Sequence, residues 1–506
     1  MTVSWTQSLN AFLHPRVLTM LFLGFSAGLP ILLIFSTMSV WLMEANVTRS
    51  NIGFFSWAAL GYAFKFVWAP LIDRLPLPLL TKLLGRRRSW LILAQCSIIA
   101  ALILMGLTNP EEDLVMMAVW AIVLGFSSAT QDIVIDAYRI EAANEELQGL
   151  MASTYIAGYR IGMLVAGAGA LELAGLLDII EGYDYRAWRW TYVTMAGFML
   201  VGILTTLIID EPATIADENK SANTSDYIGL AVAFVIAVCV FIAIFLATSS
   251  VAESTKTILI DSGWIKALAG FIVEGGRLII AVLAAVIAGW LAILAGIAPR
   301  GIIKQAYLSP ISDFFSRYGK TALLILALVA TYRISDVVMG VMANVFYIDI
   351  GFEKQEIGRV TKGFGLIMTI LGGLLGGLLI LRFGMMRILL LGALLTAATN
   401  LLFVILDGMG SVLWMLVLVI SGDNLSAGIA SAVFVAYLSS LTDRSFTATQ
   451  YALFSSMMLL LPKILAGYSG MIVDTIGYAP FFIFTASLGI PVLFLVMFAT
   501  RVTPNS

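Results

Sequence analysis

Charged residues, histidine and cysteine are scarce in this chain of 506 residues. Asp, Glu, Lys and Arg make up 12% of it, about half of the ~25% that is typical of soluble domains. The mean hydropathy is +0.98, and 60% of the residues are hydrophobic. With a net charge of −2, the chain also lacks the basic surface that a nucleic-acid partner requires. This composition indicates an integral membrane protein with many spans and no room for a soluble catalytic domain.

Motifs of enzymes and of ATP-driven pumps are missing as well. The chain has no P-loop, no HExxH and no GxSxG, and its one histidine is His14. Cys96 and Cys239 fall inside apolar segments, where we expect small core residues and no disulfide. Arg16 precedes a long apolar run without a small-residue cleavage site, which predicts a first membrane helix rather than a signal peptide. We therefore expect no enzyme, metal or cofactor, and transport driven by a proton gradient.

Apolar runs bounded by charges, Pro and Gly predict an all-α polytopic protein with about 14 membrane helices, because each span needs ~20 apolar residues. Residues 1–210 form a first block of six helices, and residues 320–506 form a second. Residues 211–319 hold a polar linker, two inserted helices and an amphipathic segment. The predicted spans are 17–43, 51–74, 89–107, 114–138, 150–176, 190–210, 227–249, 276–298, 320–347, 357–381, 386–406, 412–440, 447–473 and 478–501.

Basic residues outside the spans predict the orientation. With the N-terminus in the cytoplasm, about 16 Lys and Arg fall on the cytoplasmic side and about 8 on the other. The densest basic cluster lies in the loop between the second and third spans. This bias predicts cytoplasmic N- and C-termini. We expect a gate at this end of the molecule, formed by Asp73, Arg74, Arg86, Arg87 and Arg88.

The two six-helix blocks resemble each other in sequence, as the halves of many secondary transporters do. Three segments of the first block have counterparts in the second, and they occur in the same order. This order predicts an internal repeat. The paired segments are 50–64 with 355–369, the loop motifs APLIDR (69–74) and GRRR (85–88) with LRFGMMR (381–387), and 136–153 with 435–454.

Nine charged residues fall within the predicted spans, although an isolated charge at the bilayer centre costs ~2.5–3.5 kcal/mol on insertion scales. Each one has a structural alternative, which is snorkelling at a helix end or locking two helices together. As a set, they predict a polar path through the bundle. They are Lys65, Asp132, Asp136, Arg160, Arg333, Asp336, Lys362, Asp423 and Lys463.

Acidic residues within the spans are the candidates for proton coupling. Ser128, Asp132 and Asp136 share one helix face at i, i+4 and i+8, and two nearby carboxylates can hold one proton between them. For Asp136 the alternative is a pairing with the arginine-rich loop. Asp336 and Asp423 in the second block complete the set of coupling candidates.

Basic, amide and aromatic side chains within the spans are the candidates for binding an anionic substrate. Arg333 and Asn344 fall on one stripe of the helix at 331–347, and the alternative for Arg333 is an internal ion pair with the aspartate three residues on. Tyr155 and Tyr159 beside Arg160 are typical of a sugar-and-carboxylate surface, with packing tyrosines as the alternative. The other candidates for substrate binding are Lys65, Gln131, Lys362, Asn424 and Lys463.

Several sequence strings in both blocks carry a family resemblance. They are GFSAGLPI (24–31), IGFFSWAALGYAFKFVWAPLIDR (52–74), GRRRSW (85–90), SSATQDIVIDAYR (127–139), GYRIGMLVAG (158–167), IGRVTKGFG (357–365), DNLSAGIASAVFVAYLSSL (423–441) and FTATQYALFSS (446–456). Together these strings resemble the AmpG muropeptide permeases of the major facilitator superfamily. The QDIV-DA, GYR-GMLV and ATQYAL strings are specific, because they are not general facilitator motifs.

The resemblance implies the fold of that family, with 14 helices, and a function. Family members import GlcNAc-anhydroMurNAc peptides across the Gram-negative inner membrane with protons, which feeds peptidoglycan recycling, β-lactamase induction and antibiotic resistance. The expected partners are this substrate, protons and membrane lipid, with no nucleic acid and a monomeric chain. The helix 1 glycine of the family falls on Gly28, and its helix 4 polar motif falls on Ala129, Gln131, Asp132 and Asp136.

Two other functions stay open at this point. The family also contains acetyl-CoA carriers, so the substrate is alternatively an acyl-CoA, a peptide or another anionic solute. A function from a different class is that of a membrane-embedded sensor, which binds muropeptide without moving it. Uptake of labelled muropeptide into proteoliposomes separates a carrier from a sensor.

Overall fold

The computed structural model describes residues 10–48, 52, 55, 60–180, 182–212, 224–264 and 266–502. Within these residues, thirteen helices are long and apolar enough to cross a membrane, and no strand occurs. The second predicted span begins at 51–59, and most of these residues lie outside the described part of the chain. This span is therefore not among the thirteen. The all-α membrane architecture predicted from the sequence is confirmed.

The helices are numbered here in chain order. The first block comprises α1 (Pro15–Glu44), α2 (60–74, in the pieces Leu60–Phe64, Lys65–Val67 and Ala69–Arg74), α3 (Arg86–Gly106), α4 (Leu114–Ala142), α5 (Leu147–Leu177) and α6 (Tyr185–Ile208). The middle comprises α7 (Thr224–Ala247), α8 (Ser249–Asp261), α9 (Lys266–Leu294) and α10 (Ser309–Tyr318). The second block comprises α11 (Ala322–Thr331 and Ile334–Asp349), α12 (Gln355–Phe383), α13 (Met385–Met409), α14 (Leu413–Leu441), α15 (Arg444–Ile476) and α16 (Tyr478–Thr500).

The chain divides into two compact units. One unit comprises 1–72, 76–215 and 315–506, and it therefore contains α1, α3 to α6, α11 to α16 and most of α2. The other comprises 73–75 and 216–314, with the inserted helices α7 and α9 and the unpredicted helix α8 between them. Helix α8 was not predicted because its sequence, SSVAESTKTILID, has no apolar run of membrane-spanning length.

The outer surface of the helices is apolar. Side chains such as Val115 and Ile122 on α4 are 76% and 58% exposed, which in water would be a large unfavourable patch and in a membrane is the lipid-facing side. Cys96 and Cys239 are both exposed. Their prediction as core residues was wrong, because lipid-facing and core positions in a membrane protein are equally apolar.

Glycines allow α1 and α5 to pack backbone against backbone. A Cβ atom on Gly24 would overlap the carbonyl oxygen of Tyr155, and one on Gly28 would overlap that of Tyr159. From the other side, Gly158 and Gly162 of α5 lie equally close to the α1 backbone. This crossing fixes the positions of the α5 side chains that enter the site.

Helices α4 and α14 are structural counterparts in the two blocks. Each is 29 residues long, and alignment of their first residues, Leu114 and Leu413, also aligns Tyr138 with Tyr437, as in the sequence repeat. Helix α4 ends at Ala142, four positions beyond the predicted end of that span. The extra turn brings further charged residues into the helix.

Candidate functional site

Helix α4 carries a row of buried polar side chains. Ser128 and Gln131 are fully buried, Asp132 and Asp136 are 7% and 5% exposed, and Arg139 is fully buried. Ser128, Asp132 and Asp136 recur every fourth residue, so an α-helix places them on one face. The row is the polar core of the first block.

Asp136 lies between two cations. The Lys65 ammonium of α2 is 3.6 Å from its Oδ2, and the Arg139 guanidinium is 3.2 Å from its Oδ1. Both cations are themselves buried. Burial of a charge is tolerated when it is paired in this way, so Asp136 is a fixed counter-ion for Lys65 and Arg139.

Arg139 also connects the first block to the second. Its guanidinium lies 5.6 Å from the ring centre of Tyr155 on α5 and 5.1 Å from that of Tyr451 on α15. A buried guanidinium over an aromatic face gains ~2 kcal/mol or more. The cation therefore links the fourth and fifth helices of one block to the fifth helix of the other.

Three polar atoms of the α4 row have no hydrogen-bond partner among the described residues, although they are buried. They are Ser128 Oγ, Gln131 Oε1 and Asp132 Oδ1. A buried polar atom without a partner costs ~1–3 kcal/mol, so a site with three of them side by side is suited to a polar ligand or to water. These atoms are the unsatisfied part of the first block's polar core.

In the second block, Arg333 and Asp336 are paired with each other. Arg333 sits in a break of α11 and binds Asp336 through Nε, at 3.0 Å, and through Nη2. Its Nη1 donates to Ser431 Oγ of α14 at 2.7 Å. The internal ion pair between Arg333 and Asp336, predicted from the sequence as the alternative role of Arg333, is therefore present. Asp423 on α14 interacts electrostatically with Asp336 and Arg333.

Arg160 of α5 faces this cluster from the other block. It interacts electrostatically with Arg333 and Asp336 and, in its own helix, with Tyr159. Among the described residues its one polar side-chain contact is Met163 Sδ at 3.9 Å, and it forms no ion pair. The structure therefore places two guanidinium groups, one from each block, near each other and leaves one of them without a counter-ion.

Other predicted substrate-binding residues lie in varied surroundings. Gly28 and Ala129 are buried in helix contacts, and the ring of Tyr155 lies 6.0 Å from that of Tyr159. Asn424 is hydrogen-bonded within the second block, because its Oδ1 accepts from Thr369 Oγ1 at 2.9 Å and its amide donates to the Ile420 carbonyl. Asn344 and Lys463 are exposed, and the side chain of Lys362 lies outside the described residues.

Three of the predicted gate residues, Arg86, Arg87 and Arg88, lie at one end of the first unit, called here the arginine end. Arg87 is buried and forms a two-pronged ion pair with Glu141 of α4, with distances of 2.5 and 3.0 Å. Its Nη2 also donates to Thr447 Oγ1 of α15 at 2.6 Å. The two blocks are therefore hydrogen-bonded to each other at this end.

Arg88 and Glu211 form further contacts at the arginine end. Arg88 donates to the carbonyls of Thr206 and Leu207 at the end of α6. Glu211 accepts from the backbone N–H groups of Arg87 and Arg88 at 2.8 and 3.0 Å, where an acidic group stabilises a helix N-terminus. Asp73 is buried, and Arg74 and Arg86 are half-buried.

Sequence reasoning missed several residues of these networks. Arg139 and Glu141 follow the predicted end of their span. The presence of charged residues directly after the apolar run was the one sequence feature that indicated a longer helix. Ser431, Thr447 and Tyr451 carry no signal of their own, because their partners come from distant helices. Among the described residues there is also no cluster of His, Cys, Asp and Glu that could hold a metal ion.

The fold and the polar interior define a class of membrane transporter. The sequence profile of the Major Facilitator Superfamily matches residues 20–330, which is more than half of the chain. The structure resembles the proton:xylose symporter XylE, with a TM-score of 0.59, 12% identity and coverage of 99% of this chain and 96% of that one. It also resembles FucP in the outward conformation, with a TM-score of 0.61, 12% identity and coverage of 96% and 99%. These likenesses show the fold.

Similar proteins of known name identify the family within this superfamily. The anhydromuropeptide permease of Escherichia coli K12 is 30% identical over 507 residues, which cover 99% of this chain and 84% of the relative. The protein named AmpG 4 of Rickettsia conorii is 30% identical over 485 residues, with 96% of each chain covered. AmpG 4 of Rickettsia felis is 29% identical over 486 residues, 96% and 97% of the chains. The chain belongs to the AmpG family of the major facilitator superfamily, whose members are transporters and not enzymes.

Proposed function

We propose that this protein imports anhydro-muropeptides, GlcNAc-anhydroMurNAc peptides, from the periplasm to the cytoplasm together with protons. The observation that carries the proposal is Arg160, a cation inside the bundle without an ion-pair partner among the described residues. The name of the Escherichia coli relative supports the substrate class. Such import would supply fragments for peptidoglycan recycling and for β-lactamase induction.

The surroundings of Arg160 favour an anionic substrate. Arg160 is half-buried and lacks an ion-pair partner among the described residues, so its charge is only partly solvated, and the nearby guanidinium of Arg333 adds repulsion. A carboxylate offsets both effects, since a planar guanidinium binds carboxylates through two parallel hydrogen bonds. Because the two arginines belong to different blocks, a substrate with several carboxylates draws the blocks together around itself.

Asp132 is proposed as the residue that exchanges the coupled proton. Its neighbour Asp136 is held by Lys65 and Arg139, whereas Asp132 Oδ1 has no partner among the described residues. A carboxylate in this position gains and loses a proton without breaking an existing ion pair. Asp336 and Asp423 form the second acidic pair of the interior and are proposed to respond to substrate binding at Arg333.

Alternating access is supported by the contacts at the arginine end. The Arg87–Glu141–Thr447 network and the hydrogen bond from Arg444 Nη2 to the Ala143 carbonyl, at 3.3 Å, join the blocks there. In the proposed cycle, these contacts break when the protein opens toward the cytoplasm. The excess of basic residues at this end supports its cytoplasmic placement in the bacterial inner membrane, with both chain termini on that side.

Uptake by purified protein in proteoliposomes tests the proposal. Radiolabelled anhydro-muropeptide is added outside vesicles with and without an imposed pH gradient that is acidic outside. We expect accumulation above the external concentration with the gradient and equilibration without it. Binding without uptake would identify a sensor, and uptake of acyl-CoA in preference to muropeptide would identify the alternative carrier.

A further inference from the structure

The position of Pro30 fixes which way Gln131 points. Pro30 lies inside α1, and because proline has no N–H, the carbonyl oxygen of Ser26 four residues earlier loses its helical hydrogen bond. The Gln131 side-chain amide of α4 donates to that oxygen at 3.0 Å. Only the NH₂ group can do this, so Gln131 Oε1 faces the other way, where it has no partner among the described residues.

A hydroxyl from α2 joins these atoms. The Tyr62 hydroxyl lies near Ser128, Asp132 and Tyr159. The Tyr62 and Ser128 hydroxyls interact with each other, and neither of these buried groups has another hydrogen-bond partner within the described part of the chain. Helices α2 and α4 thus carry four buried polar atoms that have no other partner among the described residues, called here the acceptor cluster: Tyr62 Oη, Ser128 Oγ, Gln131 Oε1 and Asp132 Oδ1.

The chemistry of the acceptor cluster is opposite to that of the arginines. An amide oxygen and a carboxylate oxygen only accept hydrogen bonds, and the two hydroxyls do either. A ligand at this cluster must therefore offer several donors, whereas one at Arg160 and Arg333 must offer acceptors. Tyr159 interacts electrostatically with Asp132 of the one region and with Arg160 of the other.

We infer that the acceptor cluster is a separate subsite for a neutral, donor-rich pyranose, whose hydroxyl and N-acetyl N–H groups fill it. The carboxylate-bearing part of the same substrate then lies at Arg160 and Arg333. This inference rests on the proposed function. It adds the orientation of the bound substrate, whose glycan lies toward α2 and α4 and whose peptide lies toward α11.

Competition by two substrate fragments tests this division. Uptake of labelled anhydro-muropeptide into proteoliposomes is inhibited with N,N′-diacetylchitobiose, a neutral disaccharide, or with the free stem peptide. For Tyr62→Phe and Ser128→Ala we expect the inhibition constant of the disaccharide to rise about 3- to 10-fold per lost hydrogen bond, and that of the peptide to stay unchanged. For Arg160→Gln we expect the reverse, with a rise of about 10- to 100-fold for the peptide.

Tyr192→Phe is the matched control. Its hydroxyl, buried in the same block, donates to the Leu33 carbonyl at 3.0 Å, away from the cluster, so its removal leaves both inhibition constants unchanged. The inference is overturned when the hydroxyl variants move both constants equally or leave the disaccharide constant unchanged, or when the disaccharide does not inhibit the wild type. In each of these cases transport of the intact muropeptide still supports the proposed function, whereas its absence overturns the proposed function itself.

Discussion

The two blocks hold their interior charges differently, although their fourth helices have the same length. Alignment of α4 and α14 from Leu114 and Leu413 places Asp132 opposite Ser431. Ser431 accepts a hydrogen bond from Arg333 at 2.7 Å, whereas Asp132 Oδ1 has no partner among the described residues. At equivalent positions of the repeat, the second block thus has a hydrogen-bonded serine and the first block has a carboxylate oxygen without a hydrogen-bond partner.

The same contrast holds for the arginines. Arg333 of the second block is bound by Asp336 and Ser431, and Arg160 of the first block has no counter-ion within the described residues. Arg333 both holds α11 against α14 and is proposed to meet a substrate carboxylate, whereas the unpaired Arg160 and Asp132 have no ion pair to lose among the described residues and are positions that a substrate or a proton can satisfy. Function is therefore concentrated where the blocks differ.

The largest expected effect comes from removal of the unpaired cation. In Arg160→Gln, we expect the KM for muropeptide uptake to rise about 100-fold, because a charged hydrogen-bond pair worth ~3 kcal/mol is lost. Folding should be unaffected, since Arg160 forms no ion pair that its removal would break. KM from proteoliposome uptake and the thermal unfolding midpoint in detergent check both parts. A KM equal to that of the wild type contradicts the role of Arg160.

The corresponding change in the second block should act on stability. Arg333→Gln leaves the half-buried Asp336 without its ion pair, which we expect to destabilise the fold by ~1–3 kcal/mol and to lower the thermal unfolding midpoint. The double variant Arg333→Gln/Asp336→Asn should recover most of that loss. If Arg333→Gln and Arg160→Gln lower the midpoint equally, the contrast between paired and unpaired arginines is wrong.

Much of this architecture was predictable from the sequence, because membrane spans are set by apolar length. The predicted ranges for α3 and α14 are close to the observed ones, and the i, i+4 spacing correctly placed Asp132 and Asp136 on one helix. The location of Arg139 inside α4 was not predicted, since a charged residue near the end of a span is equally compatible with a loop and with a helix.

Contacts between the blocks were not predictable in the same way. Glu141 is bound by Arg87 of α3 and by Thr447 of α15. No local sequence pattern links positions so far apart in the chain. The orientation of Gln131 also needed the structure, because it depends on a carbonyl of α1 that Pro30 leaves without a hydrogen bond.

A smaller effect is expected at the contact between α5 and α12, which joins the two blocks. A Cβ atom on Gly377 would lie 2.8 Å from Ser153 Cβ, so Gly377→Ala should disfavour the closed arginine end by ~1–3 kcal/mol. We expect a lower uptake rate and faster labelling of a cysteine introduced at this end in a cysteine-free background. Ser153→Gly should restore both.

Gly340→Ala on α11 serves as the control for this pair, because a Cβ atom there meets no atom within 4 Å. It should leave uptake and labelling unchanged. Additive effects of Gly377→Ala and Ser153→Gly, instead of rescue, would mean that this contact does not control closure.

The central claim is that the open carboxylate of the first block couples substrate to protons. The most direct measurement compares Asp132→Asn with the wild type in the same proteoliposomes, first for accumulation under an imposed pH gradient and then for exchange of labelled against unlabelled muropeptide without a gradient. The proposed mechanism predicts that the variant loses accumulation and keeps exchange. Accumulation at the wild-type level would contradict it.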